Sequence, residues 1–420
     1  MRSGEGMSTR TPVACLRGRV GSTVTIAGWV HRRRVLKSVA FLVVRDRTGT
    51  AQAVFAEPPE VAEETVVRLT GQVVANPQAP QGVELREPVL EVLSAPEKQP
   101  PFPLYRPEVA AGLPVVLDNA AVALRHPVLR RRFEVAAASV AAFRRALDGQ
   151  GFTEIHTPKI VATATESGAN VFQLDYFGRP AYLAQSPQFF KQAMVGVFER
   201  VYEVGPVFRA EPHDTARHLA QYTSLDAELG FIADHRDVMT VLRDVVAEMA
   251  AAAGPDAPTV PEEIPSIDFA AAQALLARNT SEDPRGEPDL APAHERWLGE
   301  WAEREHGSEF LFVTGYPMAK RPFYTHPDPA DPARSHSFDL LFRGLELVTG
   351  GQRLHRHADY LAVLGEAAAQ YSDYLDAFAY GMPPHGGFAI GLERWVARVL
   401  GVANVRGATL FPRDLHRLRP

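Results

Sequence analysis

The strongest constraint on the fold of this 420-residue chain is the stretch Phe208–Glu228, which reads FRAEPHDTARHLAQYTSLDAE. Apolar and polar residues alternate at both of its ends, whereas Pro212 and Asp214 interrupt the alternation in its middle. Alternation of this kind is typical of β-strands. The stretch therefore predicts two strands joined by an exposed loop.

The predicted hairpin carries an unusual number of charges. Residues two apart on a strand project from the same face, and each predicted strand has one such charged pair. The pairs are Arg209 with Glu211 and Asp226 with Glu228. Arg217 and His218 fall in the loop, and Tyr222 follows it. Such charges usually form a solvated outer face, but they are costly to bury unless a charged ligand completes them, so a binding site is the alternative.

Two further segments have the same character. LELVTGGQRLHRH, which starts at Leu345, places Glu346, Thr349 and two glycines before Arg353. GGFAIGLERWVARVL places Arg394 at the start of a helix with apolar periodicity. Three separate segments that each offer an arginine favour the recognition of an anion by fixed guanidinium groups over a solvated surface.

These segments resemble the motifs of a known family. FRAE, RH and LDAE are similar to motif 2 of the class II aminoacyl-tRNA synthetases, and GFAIGLER is similar to motif 3. RRRFEVAAASVAAFRRALDGQGFTEIHTPKI, with Pro158, resembles motif 1. Within the class, QSPQFFKQ at Gln185–Gln192 resembles the aspartyl-tRNA synthetases, whereas the asparaginyl enzymes lack its lysine. The resemblance covers about residues 16–420.

The resemblance implies an α+β chain of several domains, with an N-terminal OB-fold β-barrel and a class II catalytic domain whose antiparallel sheet is flanked by helices. Five short predicted strands between Val20 and Ser94, without a long amphipathic helix, independently favour a small barrel. No GxGxxG or GxxxxGK[ST] segment occurs, which disfavours a Rossmann or P-loop nucleotide site.

Domain boundaries follow from composition and from the motifs. We predict a disordered N-terminus at residues 1–13, an anticodon-binding barrel at 14–100, a proline-rich linker and hinge at 101–129 and a catalytic domain at 130–420. An accessory helical region is expected at 251–304. The catalytic domain should open with a long helix, which in the family forms the homodimer interface. Burial in a monomer core is the alternative for such a helix.

The resemblance also implies an aspartate site, made of Glu166, Gln188, Lys191, Arg209, Asp226 and Arg353. Lys191 and Arg353 would pair with the side-chain carboxylate of the substrate. Glu166 and Asp226 would hold its ammonium group. Asparagine would leave the two cations unpaired in a closed site, which disfavours it.

The ATP site that the resemblance implies consists of Arg209, Glu211, Arg217, His218, Tyr222, Glu346 and Arg394. Arg209 and Arg394 are the expected catalytic residues, because adenylate formation depends on positioning and charge stabilisation. Adenine would stack between Arg394 and Tyr222. Glu346 and Thr349 offer oxygen ligands suited to Mg²⁺.

In the barrel, the resemblance implies anticodon contacts by His31, Arg33, Phe41, Gln52 and Pro80. Phe41 would stack on a base, although in isolation it would be assigned to the barrel core. His31 and Pro80 depart from the residues that discriminating archaeal-type aspartyl enzymes carry, and proline offers no hydrogen-bond donor. We therefore expect both tRNA(Asp) and tRNA(Asn) to be charged with aspartate.

Charge, cysteine content and hydrophobic runs bear on whether the chain binds nucleic acid, holds a disulfide or zinc cluster, or contacts a membrane. The net charge of −6 argues against a nucleic-acid partner, but charge acts over about 8 Å at physiological salt, so local clusters matter more. HRRRVLK and RDLHRLRP are such basic clusters. The single cysteine, Cys15, excludes an internal disulfide and a cysteine-based zinc cluster. No apolar run of membrane-spanning length and no signal peptide are found, so we expect a cytoplasmic protein without membrane contact.

The leading function is an aspartate–tRNA ligase that uses ATP and Mg²⁺. An asparaginyl-tRNA synthetase is the nearest of three alternatives. A paralogue that makes free asparagine from the same adenylate would lack the anticodon barrel. A non-catalytic RNA-binding paralogue would be expected to have lost Arg209, Arg353 or Arg394, and all three are present.

Overall fold

The computed structural model describes residues 10–162 and 170–419. The chain divides into two compact units, Met1–Arg130 and Arg131–Pro420. No helix in the described ranges is long and apolar enough to cross a membrane.

The first unit is built around a closed barrel of five strands, which confirms the predicted OB-type barrel. The strands are β1 Thr23–Val35, β2 Ala40–Asp46, β3 Gly49–Phe55, β4 Val66–Ala75 and β5 Val83–Ser94. Their order around the barrel is β1-β2-β3-β5-β4, and the β3–β5 pair is parallel. Val, Leu, Ile and Ala side chains alternate inward and fill the barrel, as the period of two requires.

Residues 10–13, part of the segment predicted as disordered, have defined structure. Residues 1–9 lie outside the described part of the chain, but the amide of Thr11 donates to the carbonyl of Thr25 at 2.7 Å. Val13 opens a 3-10 helix, Val13–Arg19, and is buried in the barrel core. Its amide donates to Asp46 Oδ2 at 3.0 Å. The boundary at residue 13 was therefore placed too late, because an apolar side chain that completes the core was counted with the polar tail.

Residues 101–129, predicted as a linker and hinge, have a small core of their own. Two short helices, α1 Leu113–Asp118 and α2 Ala120–Ala123, lie in this segment. The core is formed by Phe102, Leu104, Val116, Ala123 and Leu129. The apolar residues scattered among the prolines therefore pack against one another and against the start of the next helix, Pro127–Asp148.

The second unit contains an eight-stranded sheet in the order β12-β13-β14-β15-β16-β11-β10-β6. The inner strands are antiparallel to one another. At the two edges of the sheet, β12 is parallel to β13 and β6 is parallel to β10. The members are β6 Thr153–Glu154, β10 Arg200–Phe208, β11 Gln221–Gly230, β12 Ser266–Asp268, β13 Phe310–Thr314, β14 Ser337–Phe342, β15 Leu345–Arg353 and β16 His385–Gly391. Strands β7 Ile160–Val161, β8 Gln173–Tyr176 and β9 Arg179–Leu183 form a separate small sheet.

Helices flank the large sheet, as predicted. They are α3 Pro127–Asp148, α4 Gln188–Phe198, α5 His235–Ala252, α6 Phe269–Asn279, α7 Pro292–His306, α8 His357–Leu364, α9 Ser372–Ala379 and α10 Leu392–Val399. Apolar residues of α3, α5 and α10 share one core with Leu225, Ala227 and Leu229 of β11. The intervening residues of β11 point to the opposite face of the sheet, where α4 carries the lysine of the predicted site.

The structure contradicts two predictions about the second unit. Strand β10 ends at Phe208, so Arg209 and Glu211 lie in the loop that follows rather than on the strand. The region 251–304 is not only helical, because Ser266–Asp268 pairs with β13 and extends the sheet. Three residues are too few for the alternation that identifies a strand from sequence.

The first unit contains a buried ion pair that yields a stability prediction. Two nitrogens of Arg45 each donate to a different oxygen of Glu64 at 3.0 Å, and Arg125 donates to the same carboxylate at 2.9 Å. Glu64→Ala leaves the Arg45 guanidinium buried without its partner, so we expect a loss of about 3–5 kcal/mol in barrel stability. Native-state hydrogen exchange of the β1 and β2 amides measures this loss.

Glu91→Ala is the matched control, because it removes the partner of Arg68 in an exposed pair on the same barrel. We expect a cost below about 1 kcal/mol for this variant. Equal losses in the two variants would show that burial does not set the strength of these pairs.

Candidate active site

A cleft of about 460 Å³ lies on the face of the large sheet opposite the α3–α5–α10 core. It gathers nearly all of the predicted catalytic-unit residues: Gln188, Lys191, Arg209, Glu211, Arg217, His218, Tyr222, Glu346, Thr349, Arg353 and Arg394. Asp226 is buried beside the cleft, next to Lys191. Glu166 lies outside the described residues.

Strand β11 supplies the negative groups of one end of the cleft. Ser224, Asp226 and Glu228 stand at every second position and so share the face opposite the helical core. Ser224 Oγ donates to Asp226 Oδ2 at 2.5 Å. Asp226 and Glu228 are both almost completely buried. Two buried carboxylates require nearby cations to remain ionised.

Helix α4 supplies the first cation. The helix begins at Gln188, as Ser186 and Pro187 predicted, and Ser186 Oγ accepts from the amide of Gln188 at 3.3 Å. Lys191 is only 1% exposed. Its Nζ lies 3.1 Å from Asp226 Oδ1, 3.3 Å from Glu228 Oε2 and 3.3 Å from the carbonyl oxygen of Phe388.

Arg353, at the end of β15, supplies the second cation. Its Nε donates to Glu228 Oε1 at 2.9 Å and its Nη2 to the carbonyl of Gly387 at 3.0 Å. Burial would raise the pKa of the Glu228 carboxyl, but Arg353 and Lys191 together hold that pKa below its usual value. Nη1 of Arg353 makes no hydrogen bond within the described ranges, so guanidinium donors remain available on a wall of the cleft.

These four groups form what we call the ion quartet: Lys191, Asp226, Glu228 and Arg353. The sequence predicted cations that await a substrate carboxylate. The structure differs, because each cation is already paired with a carboxylate of the protein. The quartet is therefore neutral as a whole, and its cations are fixed in position before any ligand binds. Fixed donors recognise an anion at a lower entropic cost than mobile ones.

The other end of the cleft is formed by the loop 209–220 and the start of α10. Arg394 Nη1 donates to the carbonyl oxygen of Glu346 at 3.2 Å. Arg217 Nη1 lies 3.3 Å from Glu295 Oε2, a carboxylate on α7. Burial and then Arg394 lower the pKa of His218. His218 Nδ1 is 2.6 Å from Thr215 Oγ1. This end thus carries the guanidinium groups of Arg217 and Arg394, with the carboxylates of Glu295 and Glu346 beside them.

Glu346 and Thr349 are three residues apart, which would place them on opposite faces of a regular strand. A β-bulge in β15 shifts the register between Leu340 and Leu341 of the neighbouring strand. Thr349 Oγ1 consequently donates to Glu346 Oε1 at 3.2 Å. Desolvation, followed by the charge of Asp339, raises the pKa of Glu346 to about 7, although Arg394 opposes the shift and 41% of the side chain is exposed, which limits the part that desolvation plays.

A raised carboxyl pKa marks a place where an additional cation would be favourable. Among residues 10–162 and 170–419, no group of three or more His, Cys, Asp or Glu is arranged to hold a metal ion. Mg²⁺ needs only one or two carboxylate or hydroxyl ligands when substrate phosphates and water complete its shell. Glu346 and Thr349 therefore fit Mg²⁺ in the presence of a nucleotide.

Sequence reasoning missed several residues of the cleft. Arg321 lines it, donates to both oxygens of Asp339 at 3.2 Å and lies 4.0 Å above the Tyr316 ring. Both oxygens of Glu393, at the start of α10, accept from the amide of Thr223. The C-terminal segment contributes Val405, Asp414 and Leu415. Arg321 stands in no motif that could have identified it, whereas the basic RDLHRLRP cluster marked the C-terminal segment only as a possible RNA contact.

On the barrel, two of the five predicted anticodon residues share one contact network. The Arg34 guanidinium lies 5.2 Å above the Phe41 ring, and its Nη2 donates to Gln52 Oε1 at 3.0 Å. Gln52 Nε2 donates to Glu84 Oε2 at 3.0 Å. The amide of Gln52 is thus already bonded at both ends.

The other three residues are placed differently. Arg33 is exposed on β1, and Pro80 opens a short 3-10 turn, Pro80–Gly82. His31 is the extra residue at a β1 bulge, and its Nδ1 lies 2.9 Å from Arg45 Nη1. Arg45 is four residues from Phe41 on β2, about 13 Å along the strand. Burial, and then Arg45, lower the pKa of His31 to about 4.

Comparison with known proteins identifies the class. A family model described as tRNA synthetases class II (D, K and N) matches residues 113–415. A second model, described as an OB-fold nucleic acid binding domain, matches residues 24–93. The chain belongs to the class II tRNA synthetases of the D, K and N group, which confirms the resemblance found in the motifs.

Among the similar proteins are two aspartate–tRNA ligases and an asparaginyl-tRNA synthetase. The chain is 45% identical to the aspartate–tRNA(Asp/Asn) ligase of Thermus thermophilus, over 98% of this chain and all of that one. It is 38% identical to the aspartate–tRNA(Asp) ligase of Thermoplasma volcanium, over 94% and 96% of the two chains. The asparaginyl-tRNA synthetase of Pyrococcus horikoshii, complexed with asparaginyl-adenylate, superposes with a TM-score of 0.91 at 31% identity and covers 99% of this chain and all of that one.

His385, beneath the ion quartet, generates a pH prediction. Burial is the main cause that lowers its pKa to about 4; Glu228 and the Pro383 carbonyl oppose the shift, and Arg353 and His355 add to it. Between pH 6.5 and about 4 the unfolded state binds a proton that the folded state does not, so stability is lost as the pH falls through this window. His385→Asn should flatten the slope of unfolding free energy against pH by up to about 1.4 kcal/mol per pH unit.

Urea unfolding at several pH values between 7 and 4.5 measures this slope. His306→Asn is the control, because His306 is an exposed residue at the end of α7. Identical slopes in the wild type and the His385 variant would contradict the assignment of a neutral, buried imidazole.

Proposed function

We propose that the chain activates L-aspartate with ATP and transfers it to tRNA, and that it aspartylates both tRNA(Asp) and tRNA(Asn). The observation that carries the amino-acid assignment is the pair of cations, Lys191 and Arg353, fixed in the wall of one cleft by two buried carboxylates. A side-chain carboxylate can accept hydrogen bonds from both. An amide would have to present an NH₂ group to one of them, which leaves a buried donor unpaired.

The reaction follows from the charges at the two ends of the cleft. An oxygen of the aspartate α-carboxylate attacks the α-phosphorus of ATP, the bond to the bridging oxygen breaks, and pyrophosphate leaves. Arg209 holds the α-phosphate, and Arg394 lies against adenine on the side opposite Tyr222. Arg217 and His218 meet the outer phosphates. Fixed positive groups that stabilise the developing charge supply the catalysis.

Glu346 and Thr349 would hold Mg²⁺ in this scheme, and the ion would supply neutralisation of the charge on the phosphate oxygens. Support comes from the bulge that brings the two side chains together and from the raised pKa of Glu346. In the second half-reaction, the 3′-hydroxyl of the terminal adenosine of tRNA attacks the aspartyl carbonyl and releases AMP.

Residues of the barrel support the proposal that both tRNA(Asp) and tRNA(Asn) are aspartylated. Pro80 has no side-chain donor, and His31 is bonded to Arg45 rather than placed beside Phe41. Pro80 therefore offers no side-chain group that would reject one anticodon base in favour of another. The names of relatives such as the Thermus thermophilus ligase support the same breadth.

We also propose that α3 and the segment from Pro158 into β7 form a homodimer interface, as motif 1 implies. Ile160, which is 48% exposed on β7, and Val128, 45% exposed at the start of α3, are apolar residues without cover in the single chain. Light scattering should give a mass twice that of the 46.0 kDa chain. A monomer at micromolar concentration would contradict the interface.

ATP–pyrophosphate exchange tests the activation step. We expect exchange with aspartate and at least about 100-fold less with asparagine, because one unpaired buried donor costs about 1–3 kcal/mol and two cations are involved. Lys191→Gln should lower aspartate-dependent exchange by a similar factor. Lys98→Gln, at an exposed position of the first unit, is the control. Equal exchange with asparagine would contradict the assignment.

Aminoacylation tests the tRNA range. We expect comparable incorporation of labelled aspartate into purified tRNA(Asp) and tRNA(Asn), because Pro80 offers no side-chain donor that would discriminate between them. Pro80→Lys restores a donor and should reduce charging of tRNA(Asn) while tRNA(Asp) is still charged. Failure of the wild type to charge tRNA(Asn) would restrict the function to a single tRNA.

A further inference from the structure

The loop 209–220, which carries Arg217 and His218, is tied to the C-terminal segment 404–417. The amide of Val405 donates to the carbonyl of Ala216 at 2.9 Å, and the amide of Ala220 donates to the carbonyl of Arg413 at 2.8 Å. These backbone bonds hold the second half of the loop. The tip of the loop is held differently, by a side chain.

Arg406 is that side chain. Its Nη2 donates to Asp214 Oδ1 at 2.5 Å, and its Nη1 donates to the carbonyl of Thr215 at 3.3 Å. On its other side, Nε donates to Asp414 Oδ2 at 2.5 Å. One guanidinium group, of which only 11% of the side chain is exposed, thus bridges the loop tip and the C-terminal segment.

The two carboxylate partners of Arg406 differ in exposure and in their other hydrogen bonds. Asp414 is 7% exposed, and its Oδ1 also accepts from the amides of His416 and Arg417 at 2.8 Å each. The amide of Arg406 donates to Asn404 Oδ1 at 3.0 Å. Asp214, by contrast, has a side chain that is 49% exposed. Arg406 is therefore anchored on the C-terminal side and reaches out to the tip of the loop, where His416 Nε2 also lies 3.4 Å from Asp214 Oδ2.

The contact lies next to the groups that would bind phosphate. Thr215 Oγ1 accepts from the amide of Arg217 at 3.2 Å and is bonded to the His218 ring. A shift of the backbone at Asp214 and Thr215 would consequently move both Arg217 and His218. Arg406 itself does not line the cleft, whereas Val405 and Asp414 on either side of it do.

We propose that Arg406 is a positioning residue for ATP, which holds the loop 209–220 in its nucleotide-binding shape through Asp214. This inference rests on the proposed function for the identity of the nucleotide. Without Arg406 the loop must be ordered when ATP binds, and that cost weakens ATP binding. Aspartate contacts the ion quartet on the sheet and α4, so its binding is not affected.

Arg406→Gln and Asp214→Asn test the proposal. In aspartate-dependent exchange, each should raise KM for ATP by about tenfold, the size expected for a lost charge-assisted hydrogen bond. KM for aspartate should stay within about twofold. The double variant should lose less ATP affinity than the sum of the two single losses, because the two changes share the Arg406–Asp214 contact. Arg406 also bonds Thr215 and Asp414, so its single variant should be the weaker of the two. Arg278→Gln, exposed on α6, is the control.

Two measurements separate positioning from a loss of folding. Arg406→Lys keeps the charge and should recover part of the ATP affinity. Asp214→Asn alters an exposed side chain, so its thermal unfolding should match the wild type and it alone can carry the test. The proposal is overturned if KM for ATP is unchanged in both single variants, if KM for aspartate rises equally, or if the effects of the two changes add.

Equilibrium binding of ATP to the wild type and to Asp214→Asn, without aspartate, distinguishes the two levels of inference. If the wild type binds ATP but shows no aspartate-dependent exchange, the proposed function is contradicted, and the effect of Asp214→Asn on ATP binding can still be measured. If the wild type is active in exchange and Asp214→Asn binds ATP as tightly as the wild type, only the role of Arg406 is contradicted.

Discussion

The contact between Arg353 and Glu228 determines much of the catalytic unit. The two residues belong to β15 and β11, and β16 runs between them. They meet because Gly387 of β16 has no side chain: a Cβ there would lie 2.0 Å from Glu228 Oε2. The glycine lets a charged pair form across a whole strand. The Lys191 ammonium group, on α4, then offsets the negative charge of Asp226 and Glu228. Burial of four charges is tolerated because each has an opposite partner within about 3 Å.

Successive side chains of β11 project to opposite faces of the sheet. Leu225 and Ala227 enter the helical core, and Asp226 and Glu228 between them face the cleft. A register slip of one residue would exchange the faces and bury the carboxylates among α3, α5 and α10. Packing of the core and placement of the site are therefore specified by the same strand, so the site cannot move without unfolding the core.

Much of this arrangement could be predicted from the sequence. Short alternating strands identified the barrel, and the arginine motifs identified the cleft residues on three segments. The ion pairs of Lys191 and Arg353 could not be predicted, because partners on different strands are matched only by tertiary register. The three-residue strand Ser266–Asp268 was too short for a periodic signal. The joint placement of Glu346 and Thr349 depends on a bulge, which no residue of β15 marks.

The two ends of the cleft differ in how firmly they are held. The residues of the ion quartet lie on strands and on α4, where backbone ladders and a packed core fix them. Arg217 and His218, which we propose to bind the nucleotide, lie on a loop whose tip has few backbone bonds of its own. A loop of this kind is ordered only by contacts from outside it. Glu295 of α7 and Arg406 of the C-terminal segment provide such contacts on two sides. Segments remote in sequence from the motifs thus set the shape of the nucleotide end.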